Sequence, residues 1–166
     1  MLKFFKIFLC AALIFSFSGN CSAARTVISD SDIANFMESC NRELKANDPN
    51  SSLDVPKLAE TFKSYADTMK IAEDLAVRIV YTTKNDKLYM IRLDANKYDE
   101  NVKSVFEGMN IVYLKALGLT EDEAKGLTNS GTETEWQKDG LVTRLNKKFI
   151  VSMKNSTLTI TAASVN

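Results

Sequence analysis

The side chains that could do chemistry in this chain are few, and the most informative fact is a missing type: its 166 residues contain no histidine. Without an imidazole, neither a Cys-His pair nor the usual Ser-His-Asp arrangement can form, because both need a base that exchanges its proton near neutral pH. Three cysteines are present, Cys10, Cys21 and Cys40. The first two fall in a leader expected to be removed, and the remaining thiol cannot close an internal disulfide alone. Cys40 sits on the apolar stripe Ile33, Phe36, Met37, Cys40, Leu44. That position predicts a small buried hydrophobe in preference to a nucleophile or an intermolecular bridge.

Two groups of oxygen-bearing residues invite a metal reading. In Asp94-Ala95-Asn96-Lys97-Tyr98-Asp99-Glu100, Tyr98 and Asp99 occupy places where a calcium loop needs an oxygen ligand and a glycine. A helix cap followed by acids favourable to the helix dipole is the expected role. Thr120-Glu121-Asp122-Glu123 has capping-box spacing, and acids at successive positions of a first turn fan apart instead of converging. No glycine-rich phosphate loop is present either. No catalytic, cofactor-binding or metal-ligating residue is therefore assigned, and no cofactor is expected. Trp136, on the alternating run Thr132, Thr134, Trp136, is the single candidate contact for a ligand or partner; a core anchor is its bland alternative.

These residues must be held by elements that the spacing of apolar positions outlines. Residues 1–24 read as an export signal: Lys3 and Lys6, the apolar run Ile7 to Phe17, then the small residues Ser22-Ala23-Ala24. Residues 25–166 are expected to form a single α+β domain. Basic and acidic residues number 21 each in the whole chain, and loss of Lys3 and Lys6 leaves a slight acidic excess. That balance predicts no nucleic-acid partner, and membrane contact only through the export signal.

In the domain, a helix is expected over Asp32 to Lys45, with cap oxygens from Ser29, Asp30 and Ser31. Leu58, Phe62, Tyr65, Met69, Ala72 and Ala76 follow at gaps of four and three, which predicts a second helix entered at Asp54 and Pro56. The clearest element is the hairpin of Ala76 to Asp94. Pairing Tyr81 with Ile91 and Ile79 with Leu93 places Val77, Ile79, Tyr81, Tyr89, Ile91 and Leu93 on one core face. A tight Asn85-Asp86 turn would shift that pairing by one residue, so a looser loop of three or five residues is expected.

Another helix carries Val102, Val105, Phe106, Met109, Val112, Tyr113, Ala116 and Leu117, stopped by Gly118, with Gly108 inside it. After a short capped turn the chain is β to its end, with Phe149, Val151, Met153, Leu158, Ile160 and Ala162 on one dry face. A faint echo links Ile79-Val80, Lys84-Asn85 and Leu88 to Ile150-Val151, Lys154-Asn155 and Leu158, and reads as shared hairpin grammar.

The expected fold is thus α+β: a curved antiparallel sheet of about five to six strands, packed on one face by two or three helices, in the order α-α-β-β-α-β-β-β-β. That order resembles the cone-shaped fold of nuclear-transport-factor-2-like domains, which implies architecture and little about function. Two functions remain. The first is an exported, secreted or periplasmic, non-catalytic binding or protein-interaction module. The alternative is a cone with a small-ligand or catalytic pocket between sheet and helices. A mainly apolar pocket of roughly 300 Å³ or more, holding an ionisable side chain, would favour the alternative.

Overall fold

The computed structural model describes residues 27–59, 64–129, 135–138, 141–154 and 156–163, with Ala59 and 135–138 described by their backbone. The segment expected to be an export signal lies outside them. The described residues form an open, wholly antiparallel sheet of eight strands and three helices. The order is α1 (Ile33–Asn47), β1 (Lys57–Ala59), β2 (Ser64–Lys70), β3 (Ala76–Lys84), β4 (Lys87–Ala95), α2 (Glu100–Ala116), α3 (Glu121–Gly126), β5 (Glu135–Lys138), β6 (Leu141–Leu145), β7 (Phe149–Lys154) and β8 (Thr157–Ala162). No helix among the described residues is long and apolar enough to cross a membrane.

The α+β class holds, but the expected second helix does not form. Its stripe residues Leu58, Tyr65 and Met69 lie in β1 and β2 instead. Gaps of four and three do not by themselves determine a helix when a sheet edge is available. Tyr65 faces Tyr81 and Met69 faces Val77 across β2 and β3, so β2 satisfies the backbone of β3 as well as adding apolar cover. Leu58 is left 63% exposed on the edge strand, where a helix packed on the sheet would have buried it. The element order behind the cone-fold resemblance is therefore replaced by two four-stranded meanders, each entered from helix. They meet where β4 pairs with β8. The two echoing hairpins, β3-β4 and β7-β8, hold the third and fourth places of their meanders.

The central hairpin keeps its expected pairs, Tyr81 with Ile91 and Ile79 with Leu93, by a different device. Its turn is tight: Lys84 pairs with Lys87, and Asn85 and Asp86 take positive φ of 52° and 61°. Two left-handed residues match the twist of the strands they join. The register shift this imposes is absorbed by a bulge beside Thr82 and Thr83, where the pairing passes from Met90 to Leu88. Leu88 takes the buried place expected for Tyr89, which is 39% exposed.

The helices close one face. Asp32, not the preceding serines, caps α1 by accepting the Asn35 N–H at 2.9 Å. Ile33, Phe36, Met37 and Cys40 of α1 join Val102, Phe106, Met109, Tyr113 and Leu114 of α2 over Val77, Ile79, Ile91, Leu93, Val151 and Ile160 of the sheet. Gly118, at φ 88°, ends the α2 segment as expected.

Candidate functional site

The groups that sequence chemistry singled out are mostly structural. Cys40 is fully buried, and desolvation pushes its thiol from 9.0 up to about 12, so it stays protonated at neutral pH. Beside it, the hydroxyls of Tyr81 and Tyr113 meet at 2.8 Å inside the core, and the ring centroid of Phe36 lies 6.1 and 6.0 Å from those of the two tyrosine rings. Burial raises both phenol pKa values. These groups form a packed polar contact within the core.

The acidic groups have local partners. Asp99 caps α2 by accepting the N–H groups of Asn101 and Val102 at 2.9 and 3.0 Å. Thr120 and Glu123 complete the capping box: the Glu123 N–H donates to Thr120 Oγ1 at 3.3 Å and the Thr120 N–H to Glu123 Oε2 at 2.8 Å. The Thr120 N–H, together with the Thr120 hydroxyl donating to Oε2 at 3.0 Å, holds the Glu123 carboxyl below its usual range. Glu121 is likewise held low, chiefly by Lys125 at 2.6 Å. Among the described residues no group of three or more Cys, Asp or Glu is placed to hold a metal.

Three concave regions stand out among the described residues. A pocket of about 160 Å³ lies between α2, the segment after α3, and strands β6 to β8. Phe106, Val151, Met153 and Leu158 give it an apolar floor, with Lys103, Glu107, Asn110, Thr128 and Arg144 around it. Asn110, Thr128 and Arg144 are all buried, at 1%, 6% and 6% exposure. The orientation of the Asn110 amide is fixed by a short chain of bonds. The Thr128 hydroxyl gives its one proton to the Ala124 carbonyl at 2.8 Å, so it can only accept from Asn110 Nδ2, also at 2.8 Å. The amide oxygen, Oδ1, is then turned away, buried and without a hydrogen-bond partner.

A second region, about 380 Å³, is an apolar groove between α1 and α2 lined by Leu44, Met69, Val105 and Met109 among others, with no ionisable side chain. Size and ionisable groups are thus divided between the two helix-side pockets. The larger is uncharged and the charged one is small.

The third region, about 430 Å³ and shallow, lies on the opposite side of the sheet between Ser64, Arg78, Val80, Thr82, Met90, Arg92 and Asp94. It belongs to a larger surface that the register defines. One row of neighbours crosses all eight strands, through Lys57, Ala66, Val80, Arg92, Thr159, Ser152, Thr143 and Trp136. The next row runs through Thr68, Arg78, Asp94, Thr157, Lys154 and Leu141. Among the described strand positions that the register places on this face, the hairpin tip at Lys84 and Lys87 aside, Lys57, Lys70, Arg78, Arg92, Lys138 and Lys154 are basic, and Asp94 alone is acidic. Asp94 accepts from Arg92 Nε at 2.8 Å and from the Thr157 hydroxyl at 2.9 Å.

Trp136 thus stands in β5 opposite Thr143, a residue of the open face, and its side chain lies outside the described atoms. Sequence reasoning missed Asn110, Thr128 and Arg144. Asn110 did carry a signal: it interrupts the apolar face of α2 between Phe106 and Tyr113. Arg144 carried a weaker one, alternating with Val142 on a strand and facing the buried Val151. Compared with models of known families, with curated proteins and with solved structures, the chain matches none.

Proposed function

We propose that this protein is an exported, non-catalytic interaction module whose open sheet face receives an acidic protein partner. The segregation of charge carries the reading. The domain as a whole has no basic excess, yet the described strand positions that the register turns away from the helices include Lys57, Lys70, Arg78, Arg92, Lys138 and Lys154 against one acid, Asp94. Arg78 and Arg92 flank the shallow hollow, and half-buried Val80, Met90 and Thr159 offer apolar and hydroxyl contacts between them. Such a surface attracts negative charge over a distance and buries aliphatic area at contact. Export rests on the basic, apolar and small-residue order of residues 1–24.

The test is cross-linking of the exported protein in its own cell, comparing wild type with Arg78→Glu/Arg92→Glu and with Lys45→Glu on α1. An acidic protein captured by wild type and by Lys45→Glu, and lost from the double reversal, supports the reading. Equal capture by all three overturns the assigned face. Recovery of the full-length chain in the cytoplasm, in place of a form starting near Arg25, overturns export.

A further inference from the structure

The two sides of the sheet carry opposite charge. α1 with its flanking Asp32 and Asp48 holds four acids and two bases, α2 with its cap Asp99 three and two, and α3 three and one. The helix layer thus has five more acids than bases, while the register gives the open face five more bases than acids. Ion pairs within each side do not remove this separation. Glu100, Glu43 and Glu121 engage the lysines of α2 and α3, yet exposed Glu38 and Asp122 have no cationic partner among the described residues. On the open face Arg92 pairs with Asp94, whereas Lys57, Lys70, Arg78 and Lys154 have no anionic partner among the described residues.

A molecule charged in this way has a dipole across its sheet, and a surface that complements its basic side is the acidic side of an identical molecule. Apolar parts correspond as well. The groove of Leu44, Met69, Val105 and Ile111 interrupts the acidic layer, and half-buried Val80, Met90 and Ile150 lie among the cations of the open face. Eight strands about 4.8 Å apart, each contributing about five residues of about 3.4 Å, give that face on the order of 600 Å². Stable complexes bury ~800 Å² per partner, so association through this face is weak, with Kd on the order of 50 μM.

We propose that the acidic partner of the open face is a second copy of this chain, which docks its helix layer on the sheet and so associates head to tail. The inference rests on the proposed role of that face and names its occupant. The two surfaces differ, so no two-fold axis relates the copies, and each added copy presents a new open face to the next.

The test is sedimentation velocity of the purified protein between about 5 and 500 μM, a range that brackets the expected Kd. At ~20 mM salt the weight-average mass is expected to rise from one chain to two chains or more, and at ~0.5 M salt to fall back to one. Arg78→Glu/Arg92→Glu, reversed on the sheet, and Glu38→Lys/Asp122→Lys, reversed on the helices, should each stay monomeric at low salt. Mixed, they should form a 1:1 complex that grows no further, since one variant keeps the acidic layer and the other the basic face; that recovery also shows that both fold. A wild type that is monomeric throughout, association unchanged by high salt, self-association by either variant, or no complex in the mixture overturns the proposal. A monomeric wild type whose sheet face is cross-linked to a different acidic protein removes the second copy and leaves the proposed function standing. Equal cross-linking by the sheet-reversed variant removes both.

Discussion

Removing one hydroxyl from the Tyr81 and Tyr113 pair should harm the protein more than removing both. The two oxygens lie 2.8 Å apart, in side chains that are 1% and 0% exposed. Tyr81→Phe deletes a hydrogen bond and leaves the Tyr113 hydroxyl buried without that partner, which costs about 1–3 kcal/mol; Tyr113→Phe costs a similar amount for the mirrored reason. Tyr81→Phe/Tyr113→Phe leaves neither oxygen. The rings, with centroids 5.9 Å apart at 89°, keep their edge-to-face contact. The double variant should therefore fall within about 1 kcal/mol of wild type, well short of the summed single losses, giving a coupling energy of roughly 1–6 kcal/mol in magnitude. Urea unfolding followed by circular dichroism measures all four proteins at constant slope. Single losses that simply add in the double variant would refute the reasoning, since they would mean that each hydroxyl is satisfied independently of the other.

The Cys40 thiol gives a pH signature. Its pKa is raised from 9.0 to about 12 on folding, so the unfolded chain releases the proton first. The corresponding stability is complete below pH 9 and is lost as pH rises toward 12, and Cys40→Ala should flatten the fall in urea midpoint across that window. An unchanged profile would show that the thiol does not contribute to it. Gly108→Ala should raise stability by about 1 kcal/mol, because nothing lies within 4 Å of the added Cβ. A lower thermal midpoint would mean that the groove beside α2 needs the bare backbone. Asp86→Val, which puts a β-branched side chain at φ 61°, should cost about 1–2 kcal/mol in urea unfolding; a neutral result would favour a looser turn.

Local periodicity made part of this fold legible. The alternation of Ile79 and Tyr81 with their neighbours, and of Phe149 and Val151 with theirs, sufficed to give strands and their buried faces, because side chains two apart share a face whatever lies beyond them. The cap at Asp99, the capping box at Thr120 and the stop at Gly118 were equally readable, since each satisfies backbone groups within a few residues. Burial of Cys40 followed from its place on a helical stripe.

Only the tertiary structure decided the rest. Leu58, Tyr65 and Met69 fit a helix as well as a strand, and the unpaired edge of β3 drew Tyr65 and Met69 into a sheet. The bulge that admits Leu88 to the core in place of Tyr89 depends on a turn and a pairing acting together. The basic face arises from strand neighbours far apart in sequence, such as Arg92 beside Thr159. Asn110, Thr128 and Arg144 likewise come from a helix, a loop and a strand that meet only on folding. A sequence fixes which way each side chain points within its own element, but which elements become neighbours is settled by burial and backbone pairing over the whole chain.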